Sequence, residues 1–381
     1  MQPSIYLDYN ATTPLDPDVM AAMIPFLEGH FGNPSSVHHL GREARAMLDD
    51  CRYRLASLFG CKPSELIFTS GGTESNNLAI FSMARSLTHK GRHLITSAVE
   101  HHAVLHCFES LARDEGFDLT ILPVSTDGIV DPDDLASAIR PDTTLVSVMA
   151  ANNEIGSVQP IEAISRICRD ADVLFHTDAV QAFGKMPFSS FSQFNADLVS
   201  LCAHKFHGPK GVGLLYARSP LRLPSLFKGG AHENESRPGT ENLPGIVGLT
   251  SACERFLRTP VFDPLRLGPL SQRLVSGLAD LSAVQFLGPS STVHQLANTV
   301  AFTVAGWDSI SLLAALDLEG ICASSGSACS VGSLEPSHVL LAMGRSAEEA
   351  NSLVRFSLGR ETTPEEIDST IGVLQTLLAL R

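Results

Sequence analysis

The chain has 381 residues, 44% of them hydrophobic and 18% charged, with a formal net charge of −14; this suits a large α/β core with a smaller companion domain and excludes a disordered chain. The acidic surplus opposes direct binding to nucleic acid or an anionic membrane, which both need clustered lysine and arginine. Eight cysteines without a C-x-x-C pair, an N-terminus without a signal-peptide pattern and no apolar run of about 18 residues predict a cytoplasmic protein with reduced thiols.

In chain order, residues 5–15 read as a short strand running into a turn, and Asp16-Pro17 opens a helix to about Gly29, with Asp16 as its cap. The polar loop Phe31–Ser36 carries Asn33, either a turn residue or a ligand donor. A helix is expected from about Gly41 to Phe59, and a strand over Glu65–Ser70. Gly71, Gly72 and Thr73 then lead into the apolar helix Leu78–Leu87. A strand, two glycines and a hydroxyl at a helix start make a phosphate cradle, with free N–H groups and a positive dipole end; Thr73 as an ordinary N-cap fits the same pattern.

Strand His93–Ser97 ends at the pair His101-His102 before helix Ala103–Glu115, where His101 is a cap residue or a flat ring able to stack on a cofactor. Strands Thr144–Met149 and Val173–Thr177 end in polar segments bearing Asn153, Asp178 and Gln181. In a parallel sheet the carboxyl ends of the strands line the ligand crevice. A carboxylate at Asp178 needs a cationic partner there, because an unpaired buried charge is costly.

The apolar run 197–203 delivers Lys205 into a loop closed by Gly208-Pro209, ahead of strand Gly211–Tyr216. Desolvation at such a junction frees a lysine amine as a nucleophile for a Schiff base with an aldehyde cofactor; a solvated lysine at a strand end is the alternative. A polar, glycine-rich loop spans Lys228–Asn242, and helix Ile246–Phe256 follows. The prolines of Thr259–Pro264 read as a hinge, dividing a large domain (16–260) from a small one (1–15 with 261–381). The small domain is read as helix 270–281, strand Asn298–Val304, helix Asp308–Leu318 and a strand at Ile321. The small-residue loop 323–333 centres on Cys329, a nucleophile or an incidental surface thiol. Strand Ser352–Leu358 buries Arg355, which calls for a carboxylate partner, and Thr363–Glu366 is a capping box for a last helix to Leu380.

Four segments in this order, Thr-Ser-Gly-Gly-Thr-Glu-Ser (69–75), Asn-Asn-Glu-Ile-Gly (152–156), His-Lys-Phe-His-Gly-Pro-Lys-Gly (204–211) and Ser-Ser-Gly-Ser-Ala-Cys-Ser (324–330), resemble cysteine desulfurases of the NifS- and IscS-like group, within the class V aminotransferase family. The resemblance runs nearly the whole length. It implies the fold type I of pyridoxal phosphate-dependent transferases, an α/β large domain with a mostly parallel seven-stranded sheet covered by helices, plus a smaller α+β domain. It further implies that L-cysteine is converted to L-alanine by a homodimer, with a persulfide formed on Cys329 and passed to a sulfur-acceptor protein, as in iron–sulfur cluster biogenesis. Lys205 would carry the cofactor and later move protons, Asp178 would keep the pyridine nitrogen protonated, and His101 would stack on the ring. Gly72, Thr73 and His204, with Thr240 of a neighbouring subunit, would hold the phosphate. Asn153 and Gln181 would address the ring oxygen, while Asn33 and Arg355 would hold the substrate carboxylate.

Two features depart from the family pattern. Cys202 stands where a phosphate-binding serine is usual, and a thiol is the weaker donor. The chain ends at Arg381 without the long tail with which IscS-like members engage a scaffold, so the acceptor is left open. A selenocysteine lyase, another class V enzyme or a non-catalytic partner retaining the fold are the rival readings; Cys329 argues against a plain aminotransferase.

Overall fold

The computed structural model describes residues 4–257, 259–289, 291–326 and 335–379. After β1 (Ile5–Tyr6), the first half of the chain contributes α1 (Pro17–Glu28), α2 (His39–Phe59), β2 (Leu66–Thr69), α3 (Gly72–Ser86), β3 (His93–Ser97), α4 (His102–Glu115), β4 (Asp118–Leu122), α5 (Pro132–Ala138), β5 (Thr143–Ser147), α6 (Ile161–Asp170) and β6 (Leu174–Asp178). It continues with β7 (Leu198–Cys202), β8 (Gly213–Ala217) and α7 (Leu243–Phe256). Seven of these strands form one sheet in the order β2-β8-β7-β6-β5-β3-β4. Only β8 runs antiparallel to its neighbours β2 and β7, and the other pairs are parallel.

Strands β2, β3, β5, β6, β7 and β8 are buried along their whole length apart from Leu174, as a sheet covered on both faces requires. One apolar cluster joins α1, α2 and α7 to one face, and a second places α3 and α4 on the other. Because all strands except β8 point the same way, the carboxyl ends of β2, β3, β5, β6 and β7 open on one edge. The site forms there.

The rest of the chain builds α8 (Pro264–Leu278), β9 (Val284–Leu287), β10 (Thr299–Val304), α9 (Ser309–Leu318), β11 (Ile321–Cys322), α10 (His338–Ala342), α11 (Ala347–Asn351), β12 (Leu353–Ser357) and α12 (Pro364–Ala379). An antiparallel sheet β12-β10-β9 and a two-stranded pair β1-β11 carry a separate apolar core that includes Leu7, Phe302 and Phe356. The capping box at the start of α12 is present: Thr363 N donates to Glu366 Oε2 (2.9 Å) and Glu366 N to Thr363 Oγ1 (3.3 Å).

Three differences from the sequence reading have physical causes. Helix α3 begins at Gly72, six residues before the expected Leu78, with Gly71 rather than Thr73 as its cap. Ser75, Asn76 and Asn77 near the start of that helix have weak helix preference, but tertiary bonds recruit two of them: Ser75 Oγ lies 2.7 Å from Thr69 Oγ1, and Asn76 Nδ2 donates to Asp178. Helix α8 begins at Pro264, inside the stretch read as a hinge, because Asp263 caps it and Pro264 occupies its first turn. Strands β4 and β9 are partly exposed edge strands and therefore lack the continuous apolar run that marks the others.

Candidate active site

A cavity of about 200 Å³ lies at the carboxyl edge of the large sheet, lined by Asn10, Gly72, Thr73, Asn76, His101, Asn153, Asp178, Gln181, Cys202, His204, Lys205 and Arg355, among others. Strand β7 ends at Cys202 and passes through a single 3-10 turn that swings Lys205 inward. The Lys205 amine donates to the carbonyls of Asn10 (2.6 Å) and Ala11 (2.9 Å). It has no carboxylate within ion-pair distance among the described residues, and burial pulls its pKa below that of a free lysine.

Asp178 ends β6. Its Oδ1 accepts from Val180 N (2.9 Å) and its Oδ2 from Asn76 Nδ2 (2.6 Å). Burial pushes the carboxyl above the ordinary range against these bonds and the Lys205 charge, so a cation beside it would restore the ionised form. His101 caps α4, its Nδ1 accepting from Ala103 N at 3.1 Å. That bond leaves the proton of a neutral ring on Nε2. Burial, then the charge of Lys205, pulls its pKa to about 4. His204 is likewise pulled to about 4, mainly by burial, and its Nδ1 sits 3.2 Å from Thr12 Oγ1.

The start of α3 meets the cavity without a side-chain cap, and the N–H groups of a helix's first turn have no partner within the helix, which suits them to an anion. Backbone packing is tight: a Cβ on Gly72 would stand 2.7 Å from Val180 Cγ2, and one on Gly213 would stand 2.7 Å from Gly71 Cα. Burial pushes the Cys202 thiol to about 11, although the backbone amides of Gly72 and Lys205 favour its ionised form.

Arg355, on β12, is 1% exposed. Its Nη2 donates to Asp8 Oδ1 (2.8 Å), and its Nη1 to the carbonyls of Asn153 (2.7 Å) and Gly326 (2.8 Å), while Nε has no partner among the described residues. Of five N–H donors, three are used; the Nε–H and one Nη2–H remain as a fork of the kind that grips a carboxylate. Gln181 Nε2 donates to Asn10 O at 3.0 Å. Asn33 and Thr240 are exposed and lie outside the cavity, and Asn33 Oδ1 accepts from Ser35 N (2.9 Å) in a turn. Cys329 lies outside the described residues; of the residues flanking them, Gly326 is held by Arg355 and Ser337 Oγ donates to Glu154 Oε2 (2.6 Å).

Sequence reasoning missed Asn10, Asn76 and Lys185. All are nearly fully buried polar residues bonded into the site. Asn76 was hidden by its place ahead of the expected helix; a buried Asn has no periodic signal of its own.

These residues fit pyridoxal phosphate: an amine without an acid partner, a buried carboxylate facing the same cavity, a neutral imidazole and an open helix start supply the four contacts that the cofactor needs. Fold and site together define a pyridoxal phosphate-dependent enzyme of fold type I. The family model of the class-V aminotransferases matches residues 5–370, and the chain belongs to that family. It is 47% identical over 382 residues to the cysteine desulfurase IscS of Dictyoglomus turgidum, covering 99% of this chain and 95% of the relative. A solved NifS-like protein superposes with a TM-score of 0.92 at 36% identity, over 99% of this chain and 100% of that one. SspA in complex with cysteine superposes with a TM-score of 0.81 at 35% identity, over 94% and 100%.

Proposed function

We propose that this site converts L-cysteine to L-alanine, with Cys329 taking the sulfur as a persulfide and passing it to an acceptor protein. The observation that carries the reading is the Lys205 amine, half-buried, without a carboxylate partner among the described residues, and lining one cavity with Asp178 and His101. The likeness to cysteine desulfurases over nearly the full chain supports it.

Bound pyridoxal phosphate supplies an aldehyde that takes up an amine and a protonated ring that draws electrons from the amino-acid carbons. Asp178 holds the proton on the ring nitrogen and regains its own charge in doing so. The Arg355 fork would grip the substrate carboxylate, in the cavity that Lys205 also lines. The Lys205 amine would carry the proton taken from the substrate Cα. His101 would stack on the ring, and its neutral Nε2–H is left as a donor. The Cys329 sulfur attacks the substrate sulfur. The C–S bond breaks, an S–S bond forms, the carbon becomes the alanine methyl group after protonation, and the enzyme holds one added sulfur. The balance needs no outside oxidant or reductant.

A homodimer completes the site in this reading. Phe31 and Val37, on either side of the exposed Asn33 in sequence, are 79% and 88% exposed, large apolar side chains that a second copy would cover, and Thr240 would then serve the neighbouring subunit's phosphate site. No helix among the described residues is long and apolar enough to cross a membrane, which suits a cytoplasmic enzyme. The test is alanine formation from cysteine by the yellow, cofactor-loaded protein: Lys205→Ala should lose both the visible band and alanine. An unchanged spectrum would refute the assignment and direct attention to Lys210.

A further inference from the structure

A second lysine is buried behind Lys205. Lys185, in the turn after β6, is 3% exposed and has no carboxylate within ion-pair distance among the described residues. Its stem contributes to the wall of a separate, largely apolar cavity and its amine lies 5.3 Å from the centre of the Phe262 ring. The amine donates to Asn10 Oδ1 (2.6 Å) and to Gln181 Oε1.

Those two acceptors belong to the residues that face the cofactor cavity. Gln181 Nε2 donates to Asn10 O (3.0 Å), and the same carbonyl receives the Lys205 amine (2.6 Å). Asn10 is held from every side: Oδ1 also accepts from Asn298 Nδ2 (3.1 Å), while Nδ2 donates to Thr299 Oγ1 (2.9 Å) and Asn153 O (3.3 Å). With Asn10 fixed, an end-over-end turn of the Gln181 amide would set its oxygen against the Asn10 carbonyl and its NH2 against the Lys185 N–H groups. Both contacts would be repulsive.

We propose that Lys185 is a positioning residue that fixes the Gln181 amide with its N–H groups toward the cofactor and steadies the Asn10 carbonyl that holds Lys205. The amine has N–H donors whether charged or neutral, so the role survives the lowering of its pKa by burial and by Lys205. The inference rests on the reading of Gln181 as the donor to the ring oxygen.

The test uses full-length Lys185→Met, Gln181→Met and the double variant, each freed of cofactor and titrated with pyridoxal phosphate, alongside the pH midpoint of the visible band. Loss of one oriented donor should weaken cofactor binding about two- to tenfold. It should also move the midpoint upward, since a donor to the ring oxygen favours its deprotonated form. Lys185→Met and Gln181→Met should act alike, and the second change should add nothing to the first. Lys185→Arg, which still only donates, should stay near the parent protein, and it serves as the comparison if Lys185→Met does not fold. An equal effect of Lys185→Met in the Gln181→Met background would mean that the amine acts by charge alone and would overturn the proposal. So would unchanged binding in Lys185→Met, a neutral Gln181→Met, or a Lys185→Arg protein as weak as Lys185→Met. A visible band retained by Lys205→Ala would instead bring down the underlying cofactor reading.

Discussion

Replacing Arg355 by lysine keeps the positive charge and changes the number and geometry of donors, so it isolates the fork. Three guanidinium N–H groups already serve Asp8, the Asn153 carbonyl and the Gly326 carbonyl. A lysine ammonium has three donors in all, and from one nitrogen it cannot reach positions that two guanidinium nitrogens span. None would remain for a substrate carboxylate, and buried carbonyls would compete for those that exist. A hydrogen bond to a charged group contributes about 1.5–3 kcal/mol; loss of a two-bond grip, partly offset by the retained charge, comes to about 3 kcal/mol, or roughly a hundredfold in kcat/KM. The assay is initial-rate alanine release across a range of cysteine concentrations, with the visible band as a control for cofactor loading. KM should rise most. A kcat/KM within threefold of the parent protein would refute the donor count, and loss of the visible band would show that Arg355 acts on the cofactor site instead.

Two other outcomes follow from the same geometry. Cys202→Ser should retain pyridoxal phosphate at least as well as the parent during dialysis against a competing amine, because a hydroxyl is a better donor than a thiol held protonated by burial; faster loss from the serine form would assign the thiol another role. The cofactor-free protein should lose stability as the pH falls below about 6.5. His101 and His204 have folded pKa values near 4 and His176 near 3, so between these values and 6.5 the unfolded chain binds more protons and stability rises with pH. Glu100, pushed to about 8 by burial, and Asp178, also pushed up by burial, act in the opposite sense, but they are two groups against these three rings and against His93, His102 and His207, which burial lowers as well. Denaturant unfolding at pH 4.5, 5.5 and 6.5 measures the slope, and a flat or falling profile would contradict the burial of these rings.

What the sequence made legible follows from how each residue is used. Lys205 and Asp178 sit at the ends of buried apolar runs, and such runs are visible as strands without knowledge of the fold. The structure brings both to one cavity with His101, Gly72 and Thr73. Helix α3 was read six residues short because Asn76 and Ser75 obey tertiary bonds rather than local preference. Asn10 and Lys185 went unread for a related reason. They come from segments far apart in the chain, and only folding sets Asn10 against Lys205 and Lys185. Arg355 was legible as a buried cation in a strand, but its partner Asp8, 347 residues away, was not. Asn33, read as a holder of the substrate carboxylate, and Thr240, read as a residue of the neighbouring subunit's phosphate site, are both outside the cavity of the single chain.

The central claim is that Cys329 receives the sulfur, and mass spectrometry of the peptide carrying residues 323–333 after brief exposure of the loaded protein to cysteine tests it most directly. One added sulfur should appear on Cys329, and Cys329→Ala should keep its visible band and still bind cysteine, yet carry no persulfide and release very little alanine. A persulfide on Cys322 with Cys329 unmodified, or full turnover of cysteine by Cys329→Ala, would contradict the account; the second result would favour a lyase in which no enzyme thiol need accept the sulfur.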